Sequence, residues 1–244
     1  MEPAEYQVRV IQDTVIHVCN YLRRTSQNVT PWWEYKEEEL WYELAACILG
    51  SRVPFELSAE AIRHLRLMGL MEIERSLHDP LEFERKSAKA LSQRFFYSRE
   101  RSNWQSYPFP FARATQLRHS LEAIYYGGGS IRDILTHCEN GEKARLKLIA
   151  IATGIGPKQA SLFLRNIGYT DELAILDTHV LRYIKWIGMP VEQPIQVYNI
   201  KKYSHVEKLF RSLAQQMGFS VAHYDIAVWV VIRIVCKELQ TWVL

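Results

Sequence analysis

The stretch that most restricts what this chain can fold into runs from Ala152 to Val180, ATGIGPKQASLFLRNIGYTDELAILDTHV. The residues before it, Ala144 to Ile151, predict a helix, and Thr153-Gly154-Ile155-Gly156 predict the turn that closes it. Two glycines two apart permit positive φ and leave the backbone uncovered. Pro157 suits the first position of a second helix, where its missing N–H would have had no partner. Ala160, Phe163, Leu164 and Ile167 then fall at i, i+3, i+4 and i+7, which marks a buried face, with Lys158 and Arg165 on another side. Gly168 is placed to end that helix. The pattern is a helix–hairpin–helix whose turn, Thr153 to Gly156, presents N–H groups at a helix N-terminus. Such a site holds a phosphate without reading a base. A tight turn between two core helices has the same spacing, and the glycines alone do not separate the two readings.

Two further residues bear on that choice. Lys158 lies in the first turn of the second helix, where the positive end of the helix dipole disfavours an ammonium group. A neutral lysine amine is a nucleophile that forms Schiff bases. Nineteen residues on, Ala174, Ile175 and Leu176 carry the chain into the core before Asp177, which precedes a helix with Val180, Leu181 and Ile184 inward. Asp177 is a good helix N-cap, and it is also a carboxylate able to serve the lysine. The two roles are compatible, since an N-cap bond fixes the side chain.

The rest of the chain predicts an all-α protein. Its 244 residues allow one large domain or two small lobes. Apolar residues recur at helical spacing over Glu37–Leu49, opened by Glu37, Glu38 and Glu39. A helix capped by Ser58 is expected next, then one from Pro80 to about Tyr97. Ser98–Phe111 carries two prolines and reads as a long loop. Helices follow near Ala112–Tyr126, Ser130–Cys138, Glu142–Ala152, His205–Met217 and Val221–Leu239, and no strand ladder is expected. YNIKKYSHVEK, from Tyr198 to Lys208, is basic and aromatic. The net charge of +3 supports nucleic-acid binding only if it is concentrated on one face. Cys19, Cys47, Cys138 and Cys236 are too scattered for a zinc site or a clustered iron–sulfur ligand set. No run of 18 apolar residues exists and the N-terminus lacks a signal-peptide pattern, so a cytoplasmic protein, or a nuclear one in a eukaryote, is expected.

GIGPKQASLFLRNIGYTDELAILDTHVLRYI resembles the signature of the helix–hairpin–helix DNA glycosylase superfamily, and more closely that of the archaeal-type 8-oxoguanine DNA glycosylase/AP lyases. Trp41–Glu56 is similar to the family's N-terminal helix and pocket loop, and Tyr224–Leu239 to its last long helix. The resemblance implies a two-lobed helical fold with the active site in the cleft between lobes. It puts the helix–hairpin–helix in a lobe of roughly 58–189, and the other lobe in roughly 1–57 plus 190–244. It implies Lys158 as nucleophile and Asp177 as its carboxylate, acting on a damaged purine flipped out of double-stranded DNA by a monomeric enzyme. Thr153, Gly154, Ile155, Gly156, His179 and Arg182 would hold the DNA backbone, with Lys185 a further phosphate candidate. Ser51, Arg52, Phe55, Asp225 and Trp229 would form the base pocket. No cofactor is implied and no iron–sulfur cluster, and a monovalent cation at the hairpin is expected as in relatives. The chain departs from some archaeal relatives, which end in a lysine, by ending in TWVL, and this bears on the base more than on the chemistry.

Two alternatives stand beside 8-oxoguanine excision: a glycosylase for another modified purine, and a non-catalytic helix–hairpin–helix DNA-binding protein. The second needs the Gly-x-Gly turn but neither Lys158 nor Asp177. Borohydride reduction with a duplex containing 8-oxoguanine or an abasic site is predicted to trap the protein covalently on DNA. Lys158→Gln is predicted to abolish the trapped band on a denaturing gel.

Overall fold

The computed structural model describes residues 3–25, 30–98, 102–195, 197 and 199–241. Residues 99–101 of the Ser98–Phe111 stretch, Tyr198 and the terminal Trp242–Leu244, which figure in the sequence reading, lie outside these residues. In chain order the elements are α1 (Glu5–Thr25), a 3₁₀ turn (Trp32–Glu34), α2 (Glu37–Leu49), α3 (Phe55–Leu67), α4 (Ile73–His78), α5 (Pro80–Ser92), β1 (Phe96–Ser98), β2 (Asn103–Gln105), α6 (Pro110–Tyr125), α7 (Ile131–Thr136), α8 (Gly141–Ile151), α9 (Pro157–Asn166), α10 (Thr178–Trp186), α11 (Ile200–Gln216) and α12 (Val221–Thr241). Among the described residues no single helix is long and apolar enough to cross a membrane.

The chain forms two compact units. One is continuous, Thr30–Tyr169; the other joins Met1–Val29 to Thr170–Leu244. These bounds differ from the lobes of 58–189 and 1–57 plus 190–244 expected above, and the packing of two helices explains why. α2 packs on α3, α6, α7 and α9, and its Glu43 accepts a hydrogen bond from Asn166 at the end of α9 (2.7 Å). It therefore belongs with the helix–hairpin–helix. α10 packs on α12 and belongs with the chain's last helices.

In the continuous unit α2 is the central helix, with Leu40, Trp41, Leu44, Ala45, Ile48 and Leu49 all fully buried. Its N-terminus is closed by a Glu39 carboxylate that accepts from the Lys36 amide (2.7 Å). Glu37, one of the three acidic residues noted in the sequence, reaches across the unit. Its carboxylate accepts from the Tyr125 hydroxyl (2.9 Å) and from the Ile131 amide at the start of α7 (2.6 Å). The second bond places negative charge at a helix N-terminus.

Three expectations need correction here. Ser58 does not cap a helix: α3 starts at Phe55 behind Pro54, and the Ser58 hydroxyl donates back to the Phe55 carbonyl (2.9 Å). The helix expected from Pro80 to Tyr97 stops at Ser92; it is capped by Asp79, whose side chain accepts from the Glu82 amide (2.9 Å). Beyond it the aromatic residues Phe96 and Tyr97 form a strand instead, paired antiparallel with β2 in the register Tyr97↔Trp104. Aromatic side chains favour a pleated strand where a cross-strand partner is available, and the Tyr97 and Trp104 rings meet edge to face at 5.6 Å. The two-stranded hairpin is a small departure within a helical fold.

In the discontinuous unit α1 packs along α12, and α10 and α11 pack on α12. Val15, Cys19, Ile184, Tyr203, Phe210 and Val228 are buried at its centre. The Tyr183 and Tyr224 hydroxyls bond to one another there (2.8 Å), and burial pushes both phenols upward.

Replacing Glu37 with Ala strands the Ile131 amide and the Tyr125 hydroxyl. A loss of about 2–3 kcal/mol in unfolding free energy is expected, read as a lower urea midpoint at unchanged m-value.

Candidate active site

The helix–hairpin–helix forms as the sequence predicts, α8 and α9 flanking Ala152–Gly156. The buried Arg145 of α8 donates to the Ser161 hydroxyl of α9 (3.1 Å), joining the two helices. Gly154 has φ +85°, the left-handed region, and a Cβ there would lie 2.6 Å from the Gln116 side-chain oxygen. Only glycine fits both conditions. The end of α9 closes as expected: Gly168 has φ +70°, its amide donates to the Arg165 carbonyl (3.0 Å), and the Tyr169 amide donates to Leu164 (2.9 Å).

One face of α6 builds the turn. The Ser120 hydroxyl donates to the Thr153 carbonyl (3.1 Å) and accepts from the Thr153 amide (2.9 Å). Thr153 therefore has its amide committed, and its carbonyl oxygen holds one hydrogen bond. The amides of Gly154, Ile155 and Gly156 make no hydrogen bond with the chain among the described residues. They are the turn's available donors.

Two helical turns earlier, Arg113 of α6 serves a second loop. It donates to the Ser51 carbonyl (2.8 Å) and to the Gln116 side chain, and it lies over the Phe109 ring (5.9 Å). Tyr107 donates to the Leu49 carbonyl (2.5 Å). Burial pushes that phenol up, and Arg113 draws it partly back. Arg113, Gln116 and Ser120 thus bring the loop holding Ser51 and Arg52 and the Gly154 turn onto one helix face. Arg52 takes φ +64°, and Phe55 is 66% exposed. Sequence reading had not singled out Arg113, Gln116 and Ser120, although their i, i+3, i+7 spacing is one helix face.

Lys158 sits half-buried in the first turn of α9, two residues past the turn. Beside it on α2 is the buried Cys47, whose thiol is pushed well up by burial and by Glu43, against the charges of Lys158 and Arg165.

Asp177 belongs to the other unit, and its position has a definite cause. It is the N-cap of α10: its Oδ1 accepts from the amides of His179 (2.8 Å) and Val180 (2.9 Å). The residues before it, Leu173 to Leu176, are buried and belong to no helix or strand. Buried amides need partners, and three buried side chains supply them. Glu207 accepts from Ala174 (3.0 Å), Asp225 from Ile175, and the Tyr203 hydroxyl from Leu176 (3.1 Å) while donating to the Ala174 carbonyl (2.7 Å). Asp225, expected at the base pocket, is 2% exposed and bonded to this backbone. Its placement is that of a support. Glu207 and Tyr203 were not foreseen; a buried glutamate in an otherwise apolar α11 stripe was the signal available.

The neighbouring candidates lie on the same unit. The His179 ring meets Trp229 edge to face at 6.5 Å, and Arg233 covers the Trp229 ring at 4.9 Å. Arg182 donates to the Cys236 sulfur (2.7 Å). Among the described residues no three of His, Cys, Asp and Glu are grouped to hold a metal ion.

A family model described as 8-oxoguanine DNA glycosylase matches residues 22–219, a span that includes the turn, Lys158 and Asp177. The chain belongs to that family. Among members of the 8-oxoguanine DNA glycosylase family, an 8-oxoguanine DNA glycosylase/AP lyase of Saccharolobus islandicus is 28% identical over 200 residues, covering 79% of this chain and 82% of that protein. The crystal structure of the Methanocaldococcus jannaschii 8-oxoguanine DNA glycosylase superposes with a TM-score of 0.68 at 23% identity, covering 92% of this chain and 94% of that one. The same archaeon's enzyme in complex with a 15-mer DNA containing 8-oxoguanine gives 0.62 at 23% identity, covering 93% and 90%. At that identity the two structures establish the shared glycosylase fold.

Replacing Glu207 with Leu leaves the Ala174 amide buried without its acceptor. A loss of about 1–3 kcal/mol is expected from denaturant unfolding, with Glu207→Gln, which keeps a side-chain oxygen, losing less.

Proposed function

We propose that this chain removes 8-oxoguanine from double-stranded DNA and then nicks the strand through a Schiff base on Lys158. The observation that carries the reading is the presence in one chain of Lys158, two residues past a turn with three available amides, and of Asp177 as a fixed, half-buried N-cap, both inside the span matched by the family model. A binding module needs the turn alone.

In this mechanism the amides of Gly154, Ile155 and Gly156 hold a backbone phosphate at the positive end of α9. The damaged nucleotide is extruded from the stack. Neutral Lys158 Nζ attacks C1′ of the sugar, the C1′–N9 bond breaks, and its electron pair leaves with the purine, which takes up a proton. The Asp177 carboxylate stabilises the positive charge that builds on the sugar and accepts the proton released by Nζ. Opening of the sugar gives the Schiff base. Loss of a C2′ proton then expels the 3′ phosphate oxygen by β-elimination, and water releases the lysine. Ser51, Arg52, Phe55 and Trp229 are assigned to the base pocket and the strand opposite, and His179 and Arg182 to the phosphates. A monomer acting on chromosomal DNA, in the cytoplasm of a prokaryotic cell, suits this reading. A monovalent cation at the hairpin would take its backbone carbonyls as ligands; Thr153 O, bonded to Ser120, keeps a second lone pair for it. No step runs through the ion.

Asp177→Asn separates catalysis from capping. Asparagine retains the oxygen that accepts from His179 and Val180, so an unchanged melting temperature is expected. Single-turnover release of 8-oxoguanine is expected to fall by a factor of about 10² to 10⁴. Wild-type excision by that variant would sink the role given to Asp177. A substrate panel fixes the base: faster release of another modified purine than of 8-oxoguanine overturns the substrate assignment and leaves the chemistry standing.

A further inference from the structure

The basic and aromatic segment around α11 is sorted by the fold into two faces. Tyr203, Val206, Glu207 and Phe210 are buried, and two of them hold the backbone that leads to Asp177. Lys201, His205 and Lys208 are exposed. They lie at i, i+4 and i+7, on one side of the helix. Among the described residues none of the three side chains makes an ion pair or hydrogen bond. The only acidic residue of α11, Glu207, is 1% exposed and turned inward, with Arg211 at 4.0 Å. A chain of net charge +3 therefore places three basic side chains in a row with no exposed counter-charge on their own helix.

We propose that the outer face of α11 is a phosphate-binding surface for duplex DNA, separate from the Gly154–Gly156 turn. Seven residues of helix rise about 10 Å, which matches roughly three phosphate-to-phosphate steps of one strand at about 3.4 Å of axis each. Two ammonium groups and an imidazole at that spacing suit a repeating anion and carry no means of reading bases. The polyanion is taken to be DNA on the strength of the function proposed above. The consequence is a contact made by the same helix whose inner face fastens the Asp177 segment.

The test uses the full chain and an undamaged 30-base-pair duplex, with affinity followed by fluorescence anisotropy from low to high salt. Replacing Lys201, His205 and Lys208 together with Gln is expected to reduce the slope of log K against log salt by about 2, so that the variant and the parent converge as salt rises. Lys201→Arg with Lys208→Arg keeps the charge and is expected to keep the slope; circular dichroism of each variant checks folding. An unchanged slope in a folded triple-Gln variant overturns the proposal and leaves the face to solvent or to an acidic protein. A reduced slope together with no base release by the parent on any substrate supports this surface while removing the proposed enzymatic function. The two failures are thus distinguishable.

Discussion

Buried backbone that is neither helix nor strand must find hydrogen-bond partners somewhere, and the candidate site depends on how this chain supplies them. The segment Leu173–Leu176 passes through the core with no strand beside it. Glu207, Asp225 and Tyr203 stand in for the missing strand, one acceptor for each of three consecutive amides. Because this backbone is fixed by side chains of two helices, α11 and α12, the next residue enters α10 at a defined angle, and Asp177 is that residue. The same device recurs in the other unit. Ser120 takes both backbone groups of Thr153, Arg113 holds Ser51, and Tyr107 holds Leu49. Irregular backbone at the candidate site is here held mainly by side chains of packed helices, which is how such backbone acquires the precision that catalysis requires.

Much of this was legible from residues in a row. Pro157 after Gly156, the apolar spacing of Ala160, Phe163, Leu164 and Ile167, and Asp177 ahead of Val180 are local signals, and each formed what it predicts. What could not be read were partnerships across the chain. Glu207 lies 33 residues from Ala174, and Asp225 lies 50 from Ile175; no periodicity links them. Ser58 misled for the opposite reason. It has good capping chemistry, but Pro54 and Phe55 had already started the helix, so its hydroxyl turned to a nearby carbonyl. The β1–β2 hairpin was missed because three-residue strands carry almost no alternation to detect.

The placement of Asp225 shows how a resemblance and a structure divide the work. The family likeness pointed to Asp225 and Trp229 as pocket residues, and both lie on the helix that supports the Asp177 segment. It did not distinguish a residue that meets the substrate from one that orients the chain beneath it. A carboxylate bonded to a buried amide has that bond as its first task, and losing it would unsettle the site without any contact with DNA being lost.

The discontinuous unit pairs α1 with α12, the first helix of the chain with the last. On a ribosome these two are made far apart in time. At about 5–20 residues per second, α1 must wait on the order of ten seconds or more before the helix that covers Ile11, Val15 and Cys19 exists. The continuous unit, complete in sequence by Tyr169, is free to fold in that interval. Lys158 would then stand on finished structure while α11 and α12 are still being translated, so the proposed nucleophile is in place before Glu207, Tyr203 and Asp225 exist to fix the backbone that leads to Asp177.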